Sequence, residues 1–336
     1  MKRIVAFLLC ALMMLSLAAC GKTSEPAAET PKNDTTAQTQ TQDSGWKWTS
    51  PVEIMAPASA GGGLDTTLRA LQPYLEKELG TSIVIDCRSG GSGVTGYTYS
   101  FNETPRDGFH YQFTAPTAIF SMAAGKFDIP VWDELVPVSG CVQAEGMIFC
   151  NPKCPFKTVQ ELIDYAKANP KKVSIAIDAP TGNSGVLCTQ FEQGAGVEFN
   201  WVVGGADESL ISTIAGETDL LLATWADSAA YVGSGDIVAL CVLGTERNEV
   251  IGDVPSSAEV GVPIELGYSR MFTCLKGTPQ EAADAFEAAV HRACKQAGWE
   301  KWLAENGFSN NYLWDHTETG EALKAFYTLG QELLNK

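Results

Sequence analysis

Val52-Glu53-Ile54-Met55-Ala56-Pro57-Ala58-Ser59-Ala60-Gly61-Gly62-Gly63-Leu64-Asp65 is the stretch on which the fold of this chain turns. Val52 to Ala56 reads as a short buried strand, and Pro57 to Asp65 as a glycine-rich turn. Thr66 to Leu79 follows as an amphipathic helix, with Leu68, Leu71, Leu75 and Leu79 on one side. The unit then repeats: Ser82 to Cys87 forms a strand, Arg88-Ser89-Gly90-Gly91-Ser92-Gly93 a second glycine-rich turn, and Val94 to about Asn102 a helix. Strand, turn and helix in alternation define an α/β architecture.

Glycines let a backbone approach a ligand closely and expose amide hydrogens at the start of the next helix. One such turn is a common structural device, whereas two after successive strands point to a shared pocket. Neither has the Gly-x-x-x-x-Gly-Lys-Ser/Thr spacing of a phosphate loop. Neither has Gly-x-Gly-x-x-Gly with an acidic residue about 20 positions on, so nucleotides are disfavoured.

Toward the N-terminus, Lys2 and Arg3 precede an apolar run from Ile4 to Ala19 that stops at Cys20-Gly21. The run is shorter than the roughly 20 residues of a membrane span, and Leu17-Ala18-Ala19-Cys20 has the small-residue pattern of a lipoprotein cleavage site. Residues 1–19 are therefore expected to be a signal peptide and Cys20 the lipidated residue. Residues 20–47, rich in Thr, Gln, Ala, Pro and Glu, form a disordered tether.

The remaining 290 or so residues, from about Lys47 to Lys336, hold one large or two medium domains and no second long apolar run. The formal charge of −17 disfavours nucleic acid as a partner, and loss of Lys2 and Arg3 makes the mature chain more negative still. An anionic ligand would have to be attracted locally, by backbone donors and helix ends. Of ten cysteines, eight lie in the body: Cys87, Cys141, Cys150, Cys154, Cys188, Cys241, Cys274 and Cys294. Their irregular spacing and the presence of only His110, His291 and His316 support no metal site. Cys150 and Cys154 could bridge across Pro152, and the others read as small buried hydrophobes. Apolar positions at helical spacing from Pro279 to Gln296 and from Thr317 to Leu334 read as core faces.

Further landmarks run along the body in a fixed order. They are Pro57 to Asp65 with Arg69; Val84 to Gly96; Pro105-Arg106-Asp107-Gly108-Phe109; Pro155-Phe156-Lys157-Thr158 with Tyr165 to Pro170; Ala215 to Asp219; Val254 to Gly261; and Lys276-Gly277-Thr278-Pro279. Together they resemble the extracytoplasmic receptors of the tripartite tricarboxylate transporter family, also called the Bug receptors, over nearly all of the mature body. Each motif is weak alone; their colinearity carries the resemblance.

That resemblance implies a type 2 periplasmic-binding-protein fold, with two α/β lobes, a hinge and a ligand cleft. The expected first lobe takes residues 48–145 plus 245–336, and the second 146–244. No cofactor and no catalytic residues are implied. The implied partners are a small carboxylate, one large and one small integral membrane transporter subunit, and the membrane through the lipid anchor, with a monomeric receptor. Family receptors hold one carboxylate through backbone amides and water, which falls here on Ser59, Ala60, Gly61, Gly62 and Gly63. Thr181-Gly182-Asn183-Ser184-Gly185 resembles the facing segment of the other lobe.

Other positions carry two readings each. Asp65 either meets ligand or fixes the loop as a cap, and its charge favours the latter. Arg88 either assists binding or braces its loop. Trp225 either walls the ligand or packs beneath the loop. Thr114, Thr117 and Asp227 align with cleft loops, as do Gly204 and Gly205, although Val202-Val203-Gly204-Gly205-Ala206-Asp207 departs from the family's usual Pro-Tyr-Lys-Gly. The departure leaves a monocarboxylate or dicarboxylate, with an aromatic group admissible, ahead of citrate. A secreted hydrolase using Ser184 and a sensor subunit without transport are the alternatives. Gly182-Asn183-Ser184-Gly185 is too short for a nucleophile elbow.

Overall fold

Parallel neighbours in a sheet need a long crossover between them, usually a helix, and both halves of this chain are built that way. The computed structural model describes residues 45–265, 267–308 and 312–334. The expected leader, Cys20 and the tether as far as residue 44 lie outside the described residues. No helix among the described residues is long and apolar enough to cross a membrane.

The first sheet begins with β1 (Val52–Ala56), α1 (Gly63–Leu79), β2 (Ile83–Cys87), α2 (Val94–Glu103), β3 (His110–Thr114), α3 (Pro116–Ala123), the short α4 (Val131–Glu134) and β4 (Leu135–Ala144). β1 lies between β2 and β3, parallel to both. Val52, Ile54 and Ala56 of β1 are completely buried, as expected for a strand covered on both faces.

One residue, Glu145, then carries the chain into a second sheet. Its elements are β5 (Gly146–Cys150), α5 (Val159–Ala168), β6 (Ser174–Ile177), α6 (Asn183–Ala195), β7 (Asn200–Val203), α7 (Ala206–Ala215), β8 (Leu220–Thr224), α8 (Trp225–Ser234) and β9 (Val238–Leu243). The strand order is β7-β6-β8-β5-β9, with β5 antiparallel to β8 and β9. The chain returns through residues 244–267 into β10 (Tyr268–Leu275), which inserts between β3 and β4 antiparallel to both. α9 (Gln280–Ala293), α10 (Ala297–Glu305) and α11 (His316–Leu334) complete the described chain.

Each sheet has its own core. In the first, Leu68, Leu71 and Leu75 of α1 meet Ile54, Phe113 and Phe272 of the sheet and Phe286 of α9, whose ring stacks on Tyr111 at 3.8 Å. In the second, Leu162, Phe191, Ile175, Ile177, Leu220 and Leu222 pack together. Burial of each such side chain contributes about 1.5–3 kcal/mol. The two-lobed α/β architecture is the one expected.

Two helix bounds differ from expectation. The first helix starts at Gly63, three residues earlier than Thr66, because the glycines enter the helix rather than stop before it. The helical stretch 279–296 ends at Ala293 and gives way to a separate α10. Val262 and Ile264 pack in the second core and Val242 bridges Ser256, so the return segment runs beside the second sheet before it reaches β10. The thiols of Cys150 and Cys154 are hydrogen-bonded neighbours, but as free cysteines and not as a bridge.

Candidate functional site

The loop after β1 is held by its own helix. Asp65, the third residue of α1, reaches back so that Oδ2 accepts from Gly61 N at 2.8 Å and from Arg69 Nε at 2.9 Å, while Oδ1 accepts from Cys87 Sγ at 3.2 Å. Burial alone would raise the Asp65 pKa, but these three donors outweigh it and hold the carboxyl below its usual value. Asp65 therefore fixes the loop. Burial, followed by the Asp65 charge, pushes the Cys87 thiol up to about 11.

Two of the loop amides are consumed internally, Gly61 N by Asp65 and Gly62 N by Ser59 O. The amides of Gly63, Leu64 and Asp65 open α1 and have no carbonyl ahead of them in the helix. They are the donors the loop can offer an anion. Ser59 and Ala60 are exposed and line neither cavity described below.

Gly61 and Gly63 border a cavity of about 220 Å³ whose other walls include Thr67, Thr224, Asp227 and Arg270. Arg270 stands third in β10, is only 7 % exposed, and forms no ion pair among the described residues. Its Nε has no hydrogen-bond partner. A Cβ built on Gly63 would lie 3.7 Å from Arg270 Nη2 and 4.0 Å from Asp227 Oδ1, so this glycine stands beside both groups. Burial lowers the Arg270 pKa, and the nearby charge of Asp227 partly opposes it. A guanidinium taken out of water without a bound carboxylate is costly, which marks the place as one built to receive an anion.

The C-terminal segment closes this cavity with Trp302, Asn306 and Phe308. None of these three, nor Arg270, was legible in the sequence. Arg270 is a lone cation inside the apolar run Tyr268-Ser269-Arg270-Met271-Phe272, and that inconsistency was the one available signal.

A second cavity of about 250 Å³ adjoins it and shares Thr224 and Asp227. Asp178 and Ser184 lie on its wall, joined by a very short contact in which the Ser184 hydroxyl donates to the carboxylate. Surrounding protein raises the Asp178 pKa by desolvation, although the residue itself remains open to cleft water. Thr224 Oγ1 donates to Asp227 Oδ2 at 2.6 Å at the start of α8.

The other expected residues fall elsewhere. Arg88 pairs with Asp86 and lies over the Tyr99 ring, 3.3 Å from its centroid, as a loop brace. Thr114 is buried and Thr117 partly so, and neither lines these cavities. Thr181 accepts from Lys126 Nζ, a contact between the two halves of the chain. Gly182 is the N-cap of α6, and the buried Asn183 Nδ2 lacks a partner. Gly204 and Gly205 serve α7, where Gly205 N donates to Glu208. Trp225 packs on Gly307 of the opposite lobe, where an added Cβ would lie 2.1 Å from the indole Cδ1. The histidines are occupied away from the cavities: His110 with Asp107, His291 with the Trp314 carbonyl and His316 with Glu287.

Known proteins share this fold. The chain is 26% identical to protein BugT of Bordetella pertussis over 263 residues, covering 76% of this chain and 80% of that protein. A Cupriavidus necator protein of the UPF0065 group is 24% identical over 267 residues, covering 78% and 80%. Among solved structures, MatC of Rhodopseudomonas palustris with bound malate superposes with a TM-score of 0.72 at 19% identity, covering 85% of this chain and 99% of that one. An R. palustris protein solved with adipate gives 0.73 at 22% identity, covering 85% and 97%. The family model described as tripartite tricarboxylate transporter family receptor matches residues 67–319. The chain belongs to these tripartite tricarboxylate transporter receptors, a family of solute-binding proteins and not of enzymes.

Proposed function

We propose that this protein is a lipid-anchored extracytoplasmic receptor that closes over a small carboxylate and delivers it to a membrane transporter with one large and one small integral subunit. The observation that carries this reading is Arg270, a buried guanidinium without an ion pair among the described residues, facing the opening turn of α1 across Gly63. Malate and adipate in the R. palustris structures support the same ligand class.

In this reading the lobes, about 48–145 plus 245–336 and 146–244, hinge at the two crossings and act as a monomeric clamp. A carboxylate would take hydrogen bonds from Arg270 and from the α1 amides. Bonds to charged groups contribute about 1.5–3 kcal/mol each, and micromolar affinity needs about 8 kcal/mol net of association costs. Arg270 adds a charged anchor to the backbone amides and water expected from the resemblance. Cys20 would hold the protein at the membrane through its acyl chains, each buried methylene contributing about 0.8 kcal/mol.

A thermal-shift screen of the purified mature protein against carboxylates, amino acids and sugars tests the binding claim, since a ligand stabilises by RT ln(1 + [L]/Kd). At least one carboxylate should raise the melting temperature, and Arg270→Gln should remove that rise. A shift by neutral solutes alone would reject the reading. Radiolabelled palmitate incorporation, lost in Cys20→Ala, tests the anchor. Co-purification with the large membrane subunit tests the partnership.

A further inference from the structure

Gly307 is gripped by two residues that pack with the second sheet. It lies between Asn306 and Phe308, which wall the Arg270 cavity, and Phe308 packs in the first core. Trp225, whose ring packs on the second sheet, lies against it, and Asn248 Nδ2 donates to its carbonyl at 2.9 Å. Asn248 stands on the return segment just before Ile251 and Val254, which pack on that same part of the second sheet. Its side chain is buried, at 1 % exposure. Nδ2 also donates at 3.0 Å to Oε2 of Glu145, the residue that joins the two sheets, and Oδ1 accepts from the amides of Val250 at 2.9 Å and Ile251 at 3.3 Å. The Oδ1 bonds shape a local turn. The Nδ2 bonds instead reach 103 residues back and 59 residues forward, tying both crossings to the cavity wall.

A buried donor stripped of its acceptors costs the desolvation penalty of the group, so parting Gly307 from Asn248 is opposed. Asn248 itself lines neither cavity described above. We propose that Asn248 is the catch of the hinge, a positioning residue whose Nδ2 bonds hold the Gly307 wall against the second lobe and keep part of the empty receptor closed. A solute that needs closed lobes binds with an affinity scaled by the fraction already closed, so the catch sets affinity without touching solute. It acts before any solute arrives, and so operates whichever solute the cleft takes. Loss of the Nδ2 bonds, one of them to a carboxylate, should lower the closed-to-open ratio of the empty protein about tenfold or more.

Two substitutions separate the catch from the local turn. Asn248→Asp keeps an oxygen for the Val250 and Ile251 amides, removes the Nδ2 donor and sets a second carboxylate beside Glu145. Asn248→Ala removes the turn bonds and the catch together. Small-angle scattering of the solute-free mature protein should give both variants a larger radius of gyration than the parent, with Asn248→Asp expanded at least as much as Asn248→Ala. Circular dichroism should show the parent's secondary structure in each. Acrylamide quenching of tryptophan emission, read as the difference from Trp225→Phe in each background, should rise with the radius as the ring loses the cover of Gly307. A parent-like radius and parent-like quenching in Asn248→Asp overturn the inference. So does expansion confined to Asn248→Ala, the result expected of a residue that only shapes its own turn. Either outcome leaves the carboxylate-receptor reading untouched, since no solute enters the measurement.

Discussion

Arg270 costs the empty receptor stability that the solute returns. A buried cation without a bound anion is a desolvation penalty, so Arg270→Met should leave the solute-free protein melting no lower than the parent and stabilise it by up to about 2 kcal/mol, while abolishing solute binding. Urea denaturation with and without solute checks both halves; a loss of stability in the empty protein would contradict the account. Asp65 makes a pH-dependent contribution of known sign. Its folded pKa is depressed, so its stabilisation is fully present above the unfolded value of about 4 and is lost as pH falls through the folded value. Denaturation of the parent and of Asp65→Asn from neutral pH down to about pH 3 should therefore show two stabilities that converge toward the acid end. The loop-fixing role of Asp65 could be argued from sequence because an acid beside an anion site is unfavourable. The role of Arg270 could not, since its meaning depends on which strands flank it.

At the scale of elements, the helices are placed by what their ends touch. α7 ends against Asn151, whose Nδ2 donates to the carbonyls of Thr213 at 2.7 Å and Ile214 at 3.2 Å while its Oδ1 accepts from Lys153 N. Asn151 is buried, so Asn151→Ala takes a donor from the Ile214 carbonyl and an acceptor from the Lys153 amide, while the Thr213 carbonyl keeps Gly216 N, and should cost about 1–3 kcal/mol in a urea melt. The strand–turn–helix units around β1, α1, β2 and α2 could be read to within a few residues, because periodicity and glycine clusters are local signals. The position of β10 between β3 and β4 could not, because antiparallel insertion of a strand from far along the chain leaves no local pattern. For the same reason Trp302, Asn306 and Phe308 went unseen: they reach the cavity from α10 and its exit, a helix for which the sequence reading held no expectation.

For the whole molecule, the two halves meet along a seam that runs from the crossings, where Glu145 and Asn248 touch, out to Lys126 and Trp225. Lys126 bonds Thr181, Asn248 Nδ2 donates to Gly307 O at 2.9 Å and to Glu145 Oε2 at 3.0 Å, and Trp225 lies on Gly307. Gly307 has φ +74°, where a side chain is strained, and any Cβ there collides with the indole. Gly307→Ala should displace Trp225, prop the lobes apart and weaken solute binding by about tenfold or more. Small-angle scattering should register a larger radius of gyration in the presence of solute than the parent shows, and an unchanged radius with unchanged affinity would remove the seam from the mechanism. Because Trp225 rests on the opposite lobe, parting the lobes changes what surrounds its ring. The receptor thus carries its own optical gauge: solute capture should shift and brighten or quench its ultraviolet emission, Trp225→Phe should remove most of that signal, and no dye need be attached to watch one molecule fill and empty.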